Sequence, residues 1–199
     1  MKKDTRTSKF FAIYKILLIG GWEEHRTDVG RCFAKGMGNE FLVLNLHETF
    51  LKDSQNLAAD WFLHSDELSE IGQEIFPNKQ RTWLPLRAFI EAPQEQQALV
   101  SVSDKEEYSA EDAEKLIGKI TAWGQAVDVK RTIQNIAQAS IPNVGGAQLK
   151  YLAALAYVGD FNTLMDYQAA FQKGRRLNFT PMITLEMIDR AVDIALERA

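Results

Sequence analysis

The side chains able to do acid–base, nucleophilic or metal chemistry in this chain start from three histidines, His25, His47 and His64, and one cysteine, Cys32. "HSDE" at 64–67 sets His64 two residues before Asp66, and Asp60 lies four residues ahead of it. An imidazole beside a carboxylate is a minimal general-base unit for a hydrolase. Glu23 and Glu24 beside His25 offer the same pairing. "HETF" at 47–50 opens like a zinc-protease helix, but the second histidine of that motif is missing. A single cysteine permits neither an intrachain disulfide nor a cysteine-based zinc cluster, and Cys32 reads as a small buried hydrophobe. No P-loop, dinucleotide fingerprint or Gly-x-Ser-x-Gly elbow occurs, and "GMG" at 36–38 reads as a turn. The chain carries no recognisable catalytic set, and neither a cofactor nor a metal ion is expected.

The carboxylates are more concentrated. Asp104, Glu106, Glu107, Glu111, Asp112 and Glu114 fall within eleven positions, with Lys105 and Lys115 in partial compensation. They straddle a helix start at Ser109, where negative side chains are favoured by the helix dipole. A solvated cap accounts for their presence. Beyond that, the cluster is the first candidate for docking a partner with a basic surface. The opposite cluster, Lys173, Arg175 and Arg176, lies where a helix ends, which favours cations for the same reason. The tryptophans Trp22, Trp61, Trp83 and Trp123 read as core residues.

The elements that must position these groups divide the chain. Phe10, Ile13, Leu17, Tyr14 and Leu18 repeat with helical spacing. Ser8 or Thr7 is the expected cap, and Gly20-Gly21 the expected stop. That segment is interrupted by Lys15 and is too short to span a bilayer, and no leader-type cleavage site follows it. Leu42, Leu44 and Leu46 alternate with Phe41, Val43 and Asn45, which predicts a strand buried on one face and largely on the other. Residues 31–35 are its expected hairpin partner across "GMGN". A strand near 58–63 and a helix from Ser65 to Ile75 follow, with Ser65 as cap. "TWLPLRAFIE" and "QALVSVS" read as a further strand pair joined through Pro93.

From Ser109 the pattern is helical. Ser109 and Asp112 form a near capping box, and Leu116, Ile120, Trp123 and Val127 make one face. "IPNVGG" breaks the chain at 141–146. Thr180 followed by Pro181 predicts the start of the last helix. A shift of 35 residues lays Ile117, Ile120 and Gly124 on Leu152, Leu155 and Gly159, with Asp160 capping the helix after the turn. A period of that size is typical of tetratricopeptide-type pairs, but only two units are present and the signature residues are not met. The simpler expectation is a helical layer on a sheet. The fold class is therefore α+β: an antiparallel sheet in the N-terminal half flanked by helices, followed by a C-terminal helical layer. The portions run 1–104 and 105–199 within one compact domain.

At 199 residues, 46% hydrophobic and 25% charged, the chain is an ordinary globular one. Its 23 basic and 27 acidic residues give a net charge of −4, which argues against a nucleic-acid binder. Across 8–139 the order helix–strands–helix–strands–helix, with the acidic stretch at 104–114, resembles small acidic bacterial domains of immunity-type and secretion-chaperone-like families. In secretion chaperones the sheet and its flanking helices bind an extended or helical segment of a client; the helices over 147–199 depart from that pattern. The resemblance implies a non-catalytic protein-binding role in the bacterial cytoplasm, with another protein as partner and neither nucleic acid nor membrane involved. A homo-oligomer is compatible with it. The alternative is a small enzyme, a hydrolase using His64 with a neighbouring carboxylate.

Overall fold

The computed structural model describes residues 8–27, 30–77, 89–91, 98–103 and 106–198. Trp83, Asp104 and most of the "TWLPLRAFIE" strand expected from the sequence lie outside them. The fold is α+β, with the sheet in the N-terminal half and most of the helices after it. The chain forms two compact units: 1–64 with 91–127, and 65–90 with 128–199.

The first unit holds helix α1 (Phe11–Ile19), strands β1 (Glu23–Thr27), β2 (Gly30–Gly36), β3 (Glu40–Phe50), β4 (Ser54–Ser65, whose last residue opens the second unit) and β6 (Ala98–Ser103), and helix α3 (Ala110–Ala126). The short strand β5 (Phe89–Glu91) completes a sheet ordered β1-β2-β3-β4-β5, with β6 also paired to β4. β2 and β3 are antiparallel with Phe33 opposite Leu44, as the alternation at 41–46 predicts. β6 runs antiparallel to β4, with Leu57 opposite Val100. The sequence pairs it with the strand before it instead; β4 is long enough to take β6 along its first half. β1 was not predicted: "EEHRT" has no apolar alternation and is held by backbone pairing to β2.

One sheet face carries Phe33, Leu42, Leu44, Leu46, Leu57 and Trp61, all buried. α1 and α3 cover it. Tyr14 stacks on Phe33 with centroids 5.9 Å apart, and a side chain on Gly124 would stand 3.0 Å from Leu42. Gly124 is thus a point of close helix–sheet approach within α3 and not the turn residue that the 35-residue shift implies. The turn comes later, at Val127, where Asp128 caps the next helix through Arg131 N–H at 2.9 Å.

The second unit is helical: α2 (Asp66–Ile75), α4 (Val129–Gln138), α5 (Gly145–Tyr157), α6 (Phe161–Gln172) and α7 (Leu185–Arg198). α5 is its centre. "YLAALA" is buried on every side, the pattern of a helix enclosed by neighbours, and α2, α4, α6 and α7 all pack on it. Gly159 (φ 71°) leaves α5 in the left-handed region, and Asp160 caps α6. α3 packs with α1 and α4 with α5, so the two apparent repeats do not form matching pairs. The last helix begins at Leu185, after Thr184, and not at Pro181. Thr180 is otherwise engaged: its N–H and hydroxyl both donate to Oε1 of Gln148, each at 2.9 Å.

Candidate functional site

α1 ("FAIYKILLI") is apolar nearly all round, and only one side of it is used by the core. Ile13, Tyr14 and Leu17 are buried. Phe11 is 68%, Leu18 54% and Ile19 76% exposed. The sequence placed Leu18 with the buried face; it lies outside, one position past the Ile13–Leu17 stripe. The chain before α1 is tied down: Lys9 N–H donates to Oε1 of the buried Gln55 at 2.9 Å. Tyr108 N–H donates to the Lys9 carbonyl at 3.2 Å, and the Phe10 and Tyr108 rings meet with centroids 5.7 Å apart. The start of α3 is therefore anchored beside the start of α1.

Between the two lies a groove of about 700 Å³. Phe11, Ile16 and Ile19, with Lys15 among them, form one wall; Glu107 and Glu114 belong to the other. A smaller hollow of about 430 Å³ lies on the other side of the acidic stretch, lined by Val100, Val102, Glu106 and Asp112 among others.

The predicted acidic residues have distinct places. Asp104 lies outside the described residues. Glu106 accepts a hydrogen bond from Ser103 Oγ at 3.0 Å. Glu111 pairs with Lys115 at 2.7 Å. Asp112 is used by the cap: its N–H donates to Ser109 Oγ at 3.1 Å, and that hydroxyl donates to its carboxylate at 2.7 Å. Glu107 and Glu114 are exposed in the groove, and among the described residues neither they nor Lys15 has an ion-pair partner. The apolar wall was not read from the sequence as part of a site. Its signal was a helix more apolar than one buried stripe requires.

The titratable groups on the sheet sit elsewhere. Asn45 Nδ2 donates to Asp60 at 3.0 Å, and His47 Nε2 lies 3.5 Å from the same carboxylate. Cys32 is buried, and burial together with the Asp60 charge pushes its thiol up to about 11, the opposite of a nucleophile's environment. Burial lowers the pKa of His25 below the ordinary value, against an opposing pull from Glu23 at 3.9 Å. His64 is buried on β4, four residues along the strand from Asp60, a separation of about 13 Å in an extended chain. Asp66 opens α2. Among the described residues no three His, Cys, Asp or Glu side chains are grouped to hold a metal ion. Arg176 of the basic cluster is committed to the carbonyls of Thr180 and Ile183, each at 2.6 Å.

Fold and site together define an α+β protein with a two-helix groove, apolar on one side and acidic on the other. Among the described residues no helix is long and apolar enough to cross a membrane. The chain belongs to the family described as a family of unknown function, DUF6990, whose model matches residues 12–196. No curated protein and no solved structure matches it.

Proposed function

We propose that this is a non-catalytic protein-binding protein of the bacterial cytoplasm, acting in an immunity, chaperone-like or adaptor role. One observation carries the reading: the exposed apolar side chains of α1 and the carboxylates Glu107 and Glu114, which have no ion-pair partner among the described residues, line the same groove. Exposed apolar surface rimmed by charge is the usual form of a protein-interaction site. The groove is also pre-formed, because Lys9 and Tyr108 are hydrogen-bonded to each other through their backbones, so little ordering cost attends binding. The acidic wall favours a partner with a basic surface.

Affinity capture from the native host, followed by mass spectrometry, tests this with wild type beside Phe11→Ala and Glu114→Lys. A partner retained by wild type and lost by both variants is the expected result. A second reading, a small hydrolase, has one observation in its favour, the His47–Asp60 approach. Turnover of a small molecule that His47→Ala or His64→Ala abolishes, without any groove-dependent partner, would replace the binding reading.

A further inference from the structure

We infer that the groove between α1 and the start of α3 takes a single amphipathic helix from the partner, with basic residues along the edge that meets Glu107 and Glu114. The inference rests on the protein-binding reading and names the shape and charge of what is bound.

The groove selects a helix over an extended strand. The groove is lined by α1, by Ser8 and Lys9 before it, and by 107–109 with the first residues of α3; no strand is among its lining residues, so no sheet edge is offered for an added strand. The apolar contacts are spaced for a helix: Phe11 and Ile19 stand eight residues apart on α1, with Ala12 and Ile16 beside them. That span is about 12 Å, roughly two turns of a helix laid alongside. Apolar side chains at i, i+4 and i+7 of the bound helix would fill it.

Charge then sets the edges. The α1 side of the groove presents Lys15, and the α3 side presents Glu107 and Glu114. A complementary helix is basic on one edge, acidic on the other and apolar between. A second copy of this chain fits poorly. Lys15 lies midway between Phe11 and Ile19, so antiparallel self-pairing of α1 brings Lys15 against Lys15 at the twofold axis. An anionic membrane surface fits poorly too, because Glu107 and Glu114 would face it.

The test uses three synthetic helical peptides with one apolar stripe: Lys on one edge and Glu on the other, Lys on both, and Glu on both. Fluorescence anisotropy with the full chain should show saturable binding of the first. The single-sign peptides should bind about five- to tenfold more weakly, the effect of two partly exposed ion pairs. Phe11→Ala and Ile19→Ala, both at exposed positions, should each weaken the first peptide more than tenfold with unchanged circular dichroism. Failure of all three peptides to bind, or equal affinity for all three, overturns the inference. So does Ile19-dependent dimerisation in sedimentation, or Phe11-dependent co-sedimentation with anionic phosphatidylserine vesicles. If no peptide binds while Phe11→Ala still abolishes capture of the native partner, the helical occupant is wrong and the binding role stands. If Phe11→Ala leaves capture intact, the groove reading falls with it.

Discussion

Gln148 shows what one side chain can hold together. It is fully buried in α5. Its Nε2 donates to the carbonyls of Pro142 at 2.7 Å and Asn178 at 2.9 Å, while Oε1 receives both donors of Thr180. Two irregular segments on either side of α5 are thereby fixed to one amide. Gln148→Leu keeps the volume but removes the partner of two carbonyls and an N–H at partly buried positions, so it should cost about 2 kcal/mol. A urea titration that moves the midpoint by less than a quarter of that would show that water replaces the amide. At the same scale, Cys32 should be inert. The thiolate is the reactive form, and the folded thiol holds its proton up to about 11. Alkylation near pH 8 should therefore be at least tenfold slower than in denatured protein. The sign for stability follows. Between the ordinary thiol value of 9.0 and about 11, the unfolded chain releases a proton that the folded one keeps, so stability falls as pH rises through that window. Fast labelling of the native protein would mean that Cys32 is more open than its burial indicates.

At the scale of elements, what was legible in the sequence was local. Ser65, Ser109 and Asp160 each stand in the sequence where a cap is expected, and each accepts the hydrogen bond expected of one, because capping is decided within three residues. The strand at 41–46 followed from its alternation. Thr180-Pro181 has the same local form as a helix start, yet its donors go to Gln148, 32 residues away, and Thr184 takes over with Met187 N–H at 3.3 Å. No local pattern carries that information. The same holds for the partner of β6 and for β1. The candidate site was half legible: the acidic residues were visible as a cluster, but which side of α1 stays outside depends on where α3 packs. Asp160 gives the element-scale prediction. Its carboxylate accepts from Thr163 N–H at 3.2 Å and from the Thr163 hydroxyl at 2.8 Å. Asp160→Ala should cost about 1 kcal/mol and leave partner binding unchanged, since the turn lies in the helical unit. Thermal melts of the two proteins decide it; an unchanged midpoint would remove the capping role.

On the scale of the whole molecule, the proposed binding role raises the question of how a chain of net charge −4 would meet a partner. Glu106, Glu107 and Glu111 are exposed at one end of the sheet unit, and exposed charges steer encounter more than they hold a complex. Reversing all three to Lys should slow association with the Lys/Glu-edged peptide roughly tenfold at low salt. The difference should shrink as salt is raised, once the screening length falls to about 8 Å near physiological ionic strength. Dissociation should change little. Phe11→Ala should do the opposite: its side chain is 68% exposed in the free protein and would be covered only in the proposed complex, so its loss should appear as faster dissociation. Stopped-flow measurement of both rates across a salt series separates the acidic stretch from the apolar wall of the groove. If the triple reversal associates at the wild-type rate at every salt concentration, the acidic stretch serves only the start of α3, and the apolar wall alone recruits the partner.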